Sequence, residues 1–304
     1  MAFADANSPL RRIIRGLGQD DSVLMILLAV AGAGAYGVAD FLGGLASRKA
    51  HVLRVVVISA PASLAIELVL LPVLGASWTA GSLGWGALSG VASAFAFSLL
   101  YLALSIGPMS VMAPITAIVS ALLPAVVGLL DGERLSVAGV VGIPVALCAI
   151  VLVTMSRQMA GEKIPMRAIA VAVLAGAAIA TQLITLDAAP HDSGVAPLIV
   201  GRTVSSLLVL SVVLVVRTGH KGKIPVVVAA AAGCLDSLAN LFFLLAAREG
   251  MLSVSAVIVA LYPAATVLLA AVVLKERIRR NQWLGLAAAA AGVVLLATAG
   301  SAAS

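Results

Sequence analysis

The chain reads as a succession of apolar runs, each long enough to cross a bilayer, and that leaves few folds open to it. A bilayer core of about 30 Å needs about 20 apolar residues in a helix. Ten runs meet that length, at 22–46, 52–73, 83–106, 109–130, 136–155, 167–187, 194–216, 224–247, 251–274 and 282–300. They are continuously apolar rather than alternating, which excludes the ten-residue strands of a membrane barrel. Composition agrees, since 62% of the 304 residues are hydrophobic and 11% are charged, against about 45–50% and about 25% in soluble domains. Two cysteines in a chain of this size cannot staple a secreted scaffold. The expected fold is an all-α polytopic protein of the plasma membrane, with ten transmembrane helices.

The breaks between runs carry the residues that end helices. Gly107-Pro108 separates the third run from the fourth, and Arg248-Glu249-Gly250 the eighth from the ninth. Asp131-Gly132-Glu133-Arg134 and Lys275-Glu276-Arg277 close the fourth and ninth. The longest internal connection, 156–166, has no room for a soluble catalytic domain, so any chemistry belongs inside the bundle. Residues 1–21 form a polar tail with Arg11, Arg12 and Arg15, and the run behind it is too long for a signal-peptide core. Gly32, Gly34, Gly37, Gly43, Gly44, Gly86 and Gly90 read as seams where helices approach closely. Pro61, Pro114, Pro124, Pro144 and Pro263 fall inside runs and mark positions where a helix can kink.

The chain also matches itself. Shifted by 143 residues, 103–152 overlays 246–295 without a gap, and fourteen of the fifty pairs are identical. The identities include Gly107/Gly250, Ser110/Ser253, Val111/Val254, Ile115/Ile258, Glu133/Glu276, Arg134/Arg277 and Gly142/Gly285. Ten runs then divide into five plus five: a first repeat at 22–155, a linker at 156–166 and a second repeat at 167–300. Five is odd, so the second copy enters the membrane from the opposite side. Inverted repeats of this kind are the architecture of many alternating-access transporters.

The block from Tyr101 through Gly107-Pro108-Met109-Ser110-Val111 to Glu133-Arg134 resembles the EamA domain of the drug/metabolite transporter superfamily. Its repeat, from Phe243 through Gly250-Met251-Leu252-Ser253-Val254 to Glu276-Arg277, resembles it too. The resemblance is strong in runs three to five and eight to ten, and weaker in the remaining four. It implies ten helices in two inverted halves and transport of small metabolites, commonly export of amino acids or related compounds. The segment Tyr36–Gly44 departs from the commoner Trp-Gly pattern of the first helix, so no member's specificity carries over.

Polar side chains inside the runs are costly and therefore point to function. Asp236 lies mid-way along the eighth run, with Asn240 one turn on. At the 143 shift its partner is Ser93, in a stripe of Ser89, Ser93, Phe97 and Tyr101 on the third run. Asp40 follows Tyr36 by one turn, and a shift of 142 sets Gln182 opposite it, with Thr185 on the same face. Together Tyr36, Asp40, Ser93, Phe97, Tyr101, Gln182, Thr185, Asp236 and Asn240 outline a binding site for a small zwitterion or organic cation, whose ammonium group aromatic faces also hold. Each of these polar groups has the alternative role of a hydrogen bond between helices. Carboxylates withdrawn from water hold protons more readily, which makes Asp236 and Asp40 candidates for proton coupling. Glu67 and Arg202 are placed to form a buried ion pair between the second and seventh runs, Arg202 otherwise snorkelling. Asp187 reads as a helix-end residue, and Cys148 and Cys234 as packing residues.

No cofactor or metal is expected. His51, His191 and His220 all fall between runs, no His-Glu-x-x-His or phosphate-loop motif is present, and neither intramembrane aspartyl-protease signature appears. An enzyme and a nucleic-acid binder are thus disfavoured, the latter despite a net charge of +6. The expected partners are a small-molecule substrate, the lipid bilayer and protons, for a monomer or homodimer. A lipid-translocating or pore-like subunit is the alternative reading. Ten spans put both termini on one side. The tail and even-numbered connections hold five Lys/Arg and the odd-numbered connections thirteen, so the positive-inside rule places the termini outside.

Overall fold

A computed structural model describes residues 21–47, 52–106, 109–154, 165–216, 225–273, 275 and 277–300. All ten expected spans are present as helices. They are α1 (Asp21–Ser47), α2 (Val52–Leu74), α3 (Ala80–Ile106), α4 (Met109–Leu130), α5 (Val137–Thr154), α6 (Met166–Asp187), α7 (Ala196–Val216) and α8 (Val226–Glu249), then a ninth span in two pieces, α9 (Leu252–Val259) and α10 (Tyr262–Val273), and α11 (Arg280–Gly300). The tail 1–20 and most of the linker 156–166 lie outside the described residues, although Met166 already belongs to α6.

Helix is the required state for such segments, because lipid offers no partner to a backbone N–H or C=O. Their ends follow local chemistry. Thr79 and Ser82 cap α3 reciprocally, Ser82 N–H donating to Thr79 Oγ1 at 3.1 Å and Thr79 N–H to Ser82 Oγ at 2.9 Å. That exchange starts α3 at Ala80, ahead of the expected residue 83. Pro165 and Pro225 stand just before α6 and α8, where a missing N–H costs nothing. Of the internal prolines, Pro61, Pro114, Pro124 and Pro144 sit in unbroken helices. Pro263 does interrupt its span, since it has no N–H for the Val259 carbonyl. The chain turns at Ala260 and Leu261, and α10 restarts with Ala264 N–H donating to Leu261 O at 2.9 Å.

The helices pack in a pattern that survives exchange of the two halves. α1 lies on α8 as α3 lies on α6, α2 on α8 as α7 on α3, and the ninth span on α1 as α4 on α6. The pairs α2·α7, α4·α9 and α5·α11 each map onto themselves. Small residues make two matching seams. A Cβ on Gly90 would sit 2.9 Å from the Cα of Gly201, and one on Gly233, its partner at the 143 shift, 2.8 Å from the Cα of Ser59. No side chain larger than hydrogen fits at either crossing.

Successive spans alternate in direction, so the connections after α2, α4, α6 and α8 share one end of the bundle, the end at which α1 begins. They are tied together there. Ala76 and Gly194 form an antiparallel bridge, with Ser77 N–H donating to Ser193 O at 3.1 Å and Val195 N–H to Gly75 O at 3.0 Å. Gly194 holds φ at +57°, a left-handed value that glycine adopts freely. Arg248, at the end of α8, donates to the Gly194 and Pro190 carbonyls and to Ser193 Oγ. Glu133 reaches from the α4–α5 connection to the start of α9, its carboxylate accepting from Leu252 N–H at 2.6 Å and Ser253 N–H at 3.1 Å.

Candidate functional site

The polar side chains of the spans gather at the centre of the bundle, mostly bonded to one another. α8 supplies three of them. Asp236 and Asn240 share a face as the i, i+4 spacing requires, and Asn240 Nδ2 donates back to the Asp236 carbonyl at 2.9 Å. Asn240 Oδ1 in turn accepts from Gln182 Nε2 of α6 at 2.9 Å. Ser89 of α3 donates to the Gln182 carbonyl at 3.2 Å, so α3, α6 and α8 are stitched at one depth.

Arg202 stands opposite, on α7. The Gly90–Gly201 crossing presses α7 against α3, and the next residue, Arg202, sends its guanidinium across the bundle. It is 8% exposed. Its Nη2 pairs with the Asp236 carboxylate, while its Nε stands 3.5 Å from Glu67 Oε1 of α2. One cation therefore faces two carboxylates from two different helices. The expected Glu67–Arg202 pair is present, but the closer partner is Asp236. Glu67 Oε1 is also hydrogen-bonded to Ser237 Oγ at 2.6 Å, and Ser237 Oγ to Ser63 Oγ at 2.8 Å.

Between these groups runs a narrow cleft lined by Ser89, Gly90, Ser93, Gln182, Arg202 and Asn240, with room for about one water. Ser93 Oγ is buried on its wall without a hydrogen-bond partner. Asp40, unlike the rest, is exposed, and it lies within electrostatic reach of Asp236 and of Tyr262. The Tyr36 and Tyr262 rings stand 6.3 Å apart, tilted by 54°. Tyr262 is the first residue of α10, brought here by the break at Ala260–Leu261.

The structure thus brings Tyr36, Asp40, Ser93, Gln182, Asp236 and Asn240 to one central region. Thr185 is buried beside them but spends its hydroxyl on the Thr181 and Gln182 carbonyls of its own helix. The side chains of Phe97 and Tyr101 lie outside the described residues. Sequence reasoning missed Tyr262, Ser63 and Ser237. Ser63 and Glu67 do carry a signal, being polar residues at i, i+4 in an otherwise apolar run. Among the described residues no group of His, Cys, Asp or Glu is arranged to hold a metal.

Residues 166–298, α6 to α11, match the model of the EamA-like transporter family. That segment belongs to the EamA-like transporter family. The chain that carries it is an integral membrane transporter, whose setting is the bilayer and whose cargo is a small molecule. A solved structure titled only "Crystal structure of protein" is similar over 89% of this chain and 95% of its own, with a TM-score of 0.73 and 14% identity. The EamA-type fold is therefore shared with an experimentally determined one. No curated protein matches the sequence.

Proposed function

We propose that this EamA-type chain exports a small zwitterion or organic cation across the plasma membrane by alternating access of two inverted five-helix repeats. The observation that carries the reading is the guanidinium of Arg202, buried in the bundle between Glu67 and Asp236 and lining a polar cleft. A bilayer makes such groups costly, and they persist where a substrate or ion passes. Asp236 and Asp40 supply negative charge to an ammonium group, and the Tyr36 and Tyr262 rings supply aromatic faces. Gln182, Asn240 and Ser93 supply amide and hydroxyl contacts. The exchange-symmetric packing supports two repeats that swap conformations. Closure of one bundle end, beside an exposed Asp40, supports a state that opens to the other side only. The cycle needs no bond-making chemistry, so the chain acts as a carrier and not as an enzyme.

The test is metabolite profiling of medium and cytosol from cells expressing the chain or its Asp236→Asn variant at equal membrane levels. A small amine or amino acid that leaves the cell with the parent and not with the variant supports the reading. Unchanged pools in both would overturn export. Saturable flux with counterflow separates a carrier from a pore.

A further inference from the structure

Glu67 and its neighbours hold more hydrogen-bond links than they hold hydrogens. Three links run in series: Glu67 Oε1 to Ser237 Oγ at 2.6 Å, Ser237 Oγ to Ser63 Oγ at 2.8 Å, and Ser63 Oγ to the Gly233 carbonyl at 2.9 Å. Ser237 Oγ also stands 3.0 Å from the Ser63 carbonyl, so two hydroxyl hydrogens are shared among four oxygen contacts. A carboxyl hydrogen on Glu67, donated to Ser237 Oγ, adds a third and frees Ser237 to donate to Ser63.

The charges around Glu67 agree. Two charged groups face it, Arg202 from α7 and Asp236 from α8, while its own helix contributes Ser63. Arg202 gives its Nη2 to Asp236 and stands 3.5 Å from Glu67 through Nε, beyond ordinary hydrogen-bond length. One cation offsets one carboxylate, and Glu67 is the one in excess. Glu67 Oε2 is buried with no donor at all, beside a cleft lined by aliphatic residues such as Leu70, Leu198 and Leu241. A naked carboxylate oxygen is costly there, whereas a neutral carboxyl group is tolerated.

We propose that Glu67 is the proton-binding residue of the transport cycle, protonated in this conformation and discharged when Arg202 turns to it from Asp236. Resting on the transport reading above, the exchange is balanced in charge. A substrate ammonium takes Asp236, Arg202 moves to Glu67, and the carboxyl proton leaves to water on the open side. The cargo on this account is a cation or carries a cationic group. Asp236 binds that group, and Glu67 stores the proton.

The experiment is an infrared pH titration of the full chain in lipid vesicles, following the carbonyl stretch of protonated carboxyl groups. The parent is expected to show a protonated-carboxyl band at neutral pH that is lost in Glu67→Gln. In Asp236→Asn, Arg202 keeps Glu67 as its only carboxylate partner. The band is then absent at neutral pH and returns only on acidification, by about one to three pH units for a carboxylate beside a guanidinium. Ser237→Ala, which retains the carboxyl but removes its acceptor, is expected to move the band's frequency. A parent without the band at neutral pH overturns the proposal. So does a band that Glu67→Gln and Ser237→Ala both leave in place, or one that Asp236→Asn does not shift. The titration needs no substrate. Its failure with export intact removes Glu67 alone, and lost export with the band intact removes the transport reading.

Discussion

Without its guanidinium, Arg202 would leave Glu67 and Asp236 as two acids in a space that water scarcely enters. Breaking a buried pair by removing one partner costs about 3–5 kcal/mol, most of it the desolvated charge left behind. Arg202→Met is therefore expected to lower the thermal unfolding midpoint of the detergent-solubilised protein. Adding Asp236→Asn removes the orphaned charge and restores most of the loss. Losses that simply add in the double variant would contradict the pairing. The same logic explains how much of the site could be read ahead. Asp236, Asn240 and Gln182 stand out because each is polar within an apolar run. The Arg202–Asp236 contact does not, because α7 touches α3 and α2, and only a long side chain carries it across to α8.

Among the elements, the two glycine crossings set how closely helices approach. A Cβ at position 233 would lie 2.7 Å from the carbonyl carbon of Ser59 and 2.8 Å from its Cα, and backbone cannot yield as a side chain can. Gly233→Val is expected to separate α2 from α8, parting Ser63 and Glu67 from Ser237. Loss of folded protein on size-exclusion chromatography, or loss of export where it folds, checks this. Valine in place of Gly34, whose Cβ would meet nothing within 4 Å, is the control. Span boundaries were legible because continuous apolar runs end where Gly, Pro and charge begin. The split of the ninth span was not, because five other internal prolines sit in helices that stay whole. Glu133 looked like loop punctuation. Its role as a cap on α9, 119 residues further along, depends on how the two halves meet.

For the molecule as a whole, the joined connections at one end amount to a closed gate in the proposed cycle. Ser77 and Ser193 lie side by side across that gate, linked through their backbones. A cysteine pair at these positions is expected to cross-link under oxidation and halt transport, with activity returning on reduction. Transport that continues through the cross-linked state would show that this end need not open. The break at Pro263 has its own consequence at this scale. At the 143 shift its counterpart is Ser120, whose hydroxyl accommodates itself on the Ala117 carbonyl within an unbroken α4. One of the two matched helices is interrupted and the other is continuous. In the proposed alternating-access cycle, two exchange-related conformations built on such unlike parts differ in energy, and each 1.4 kcal/mol between them is about a tenfold ratio of populations. On that proposal the transporter has a preferred resting face, and serine at position 263 would bring the two faces nearer to parity.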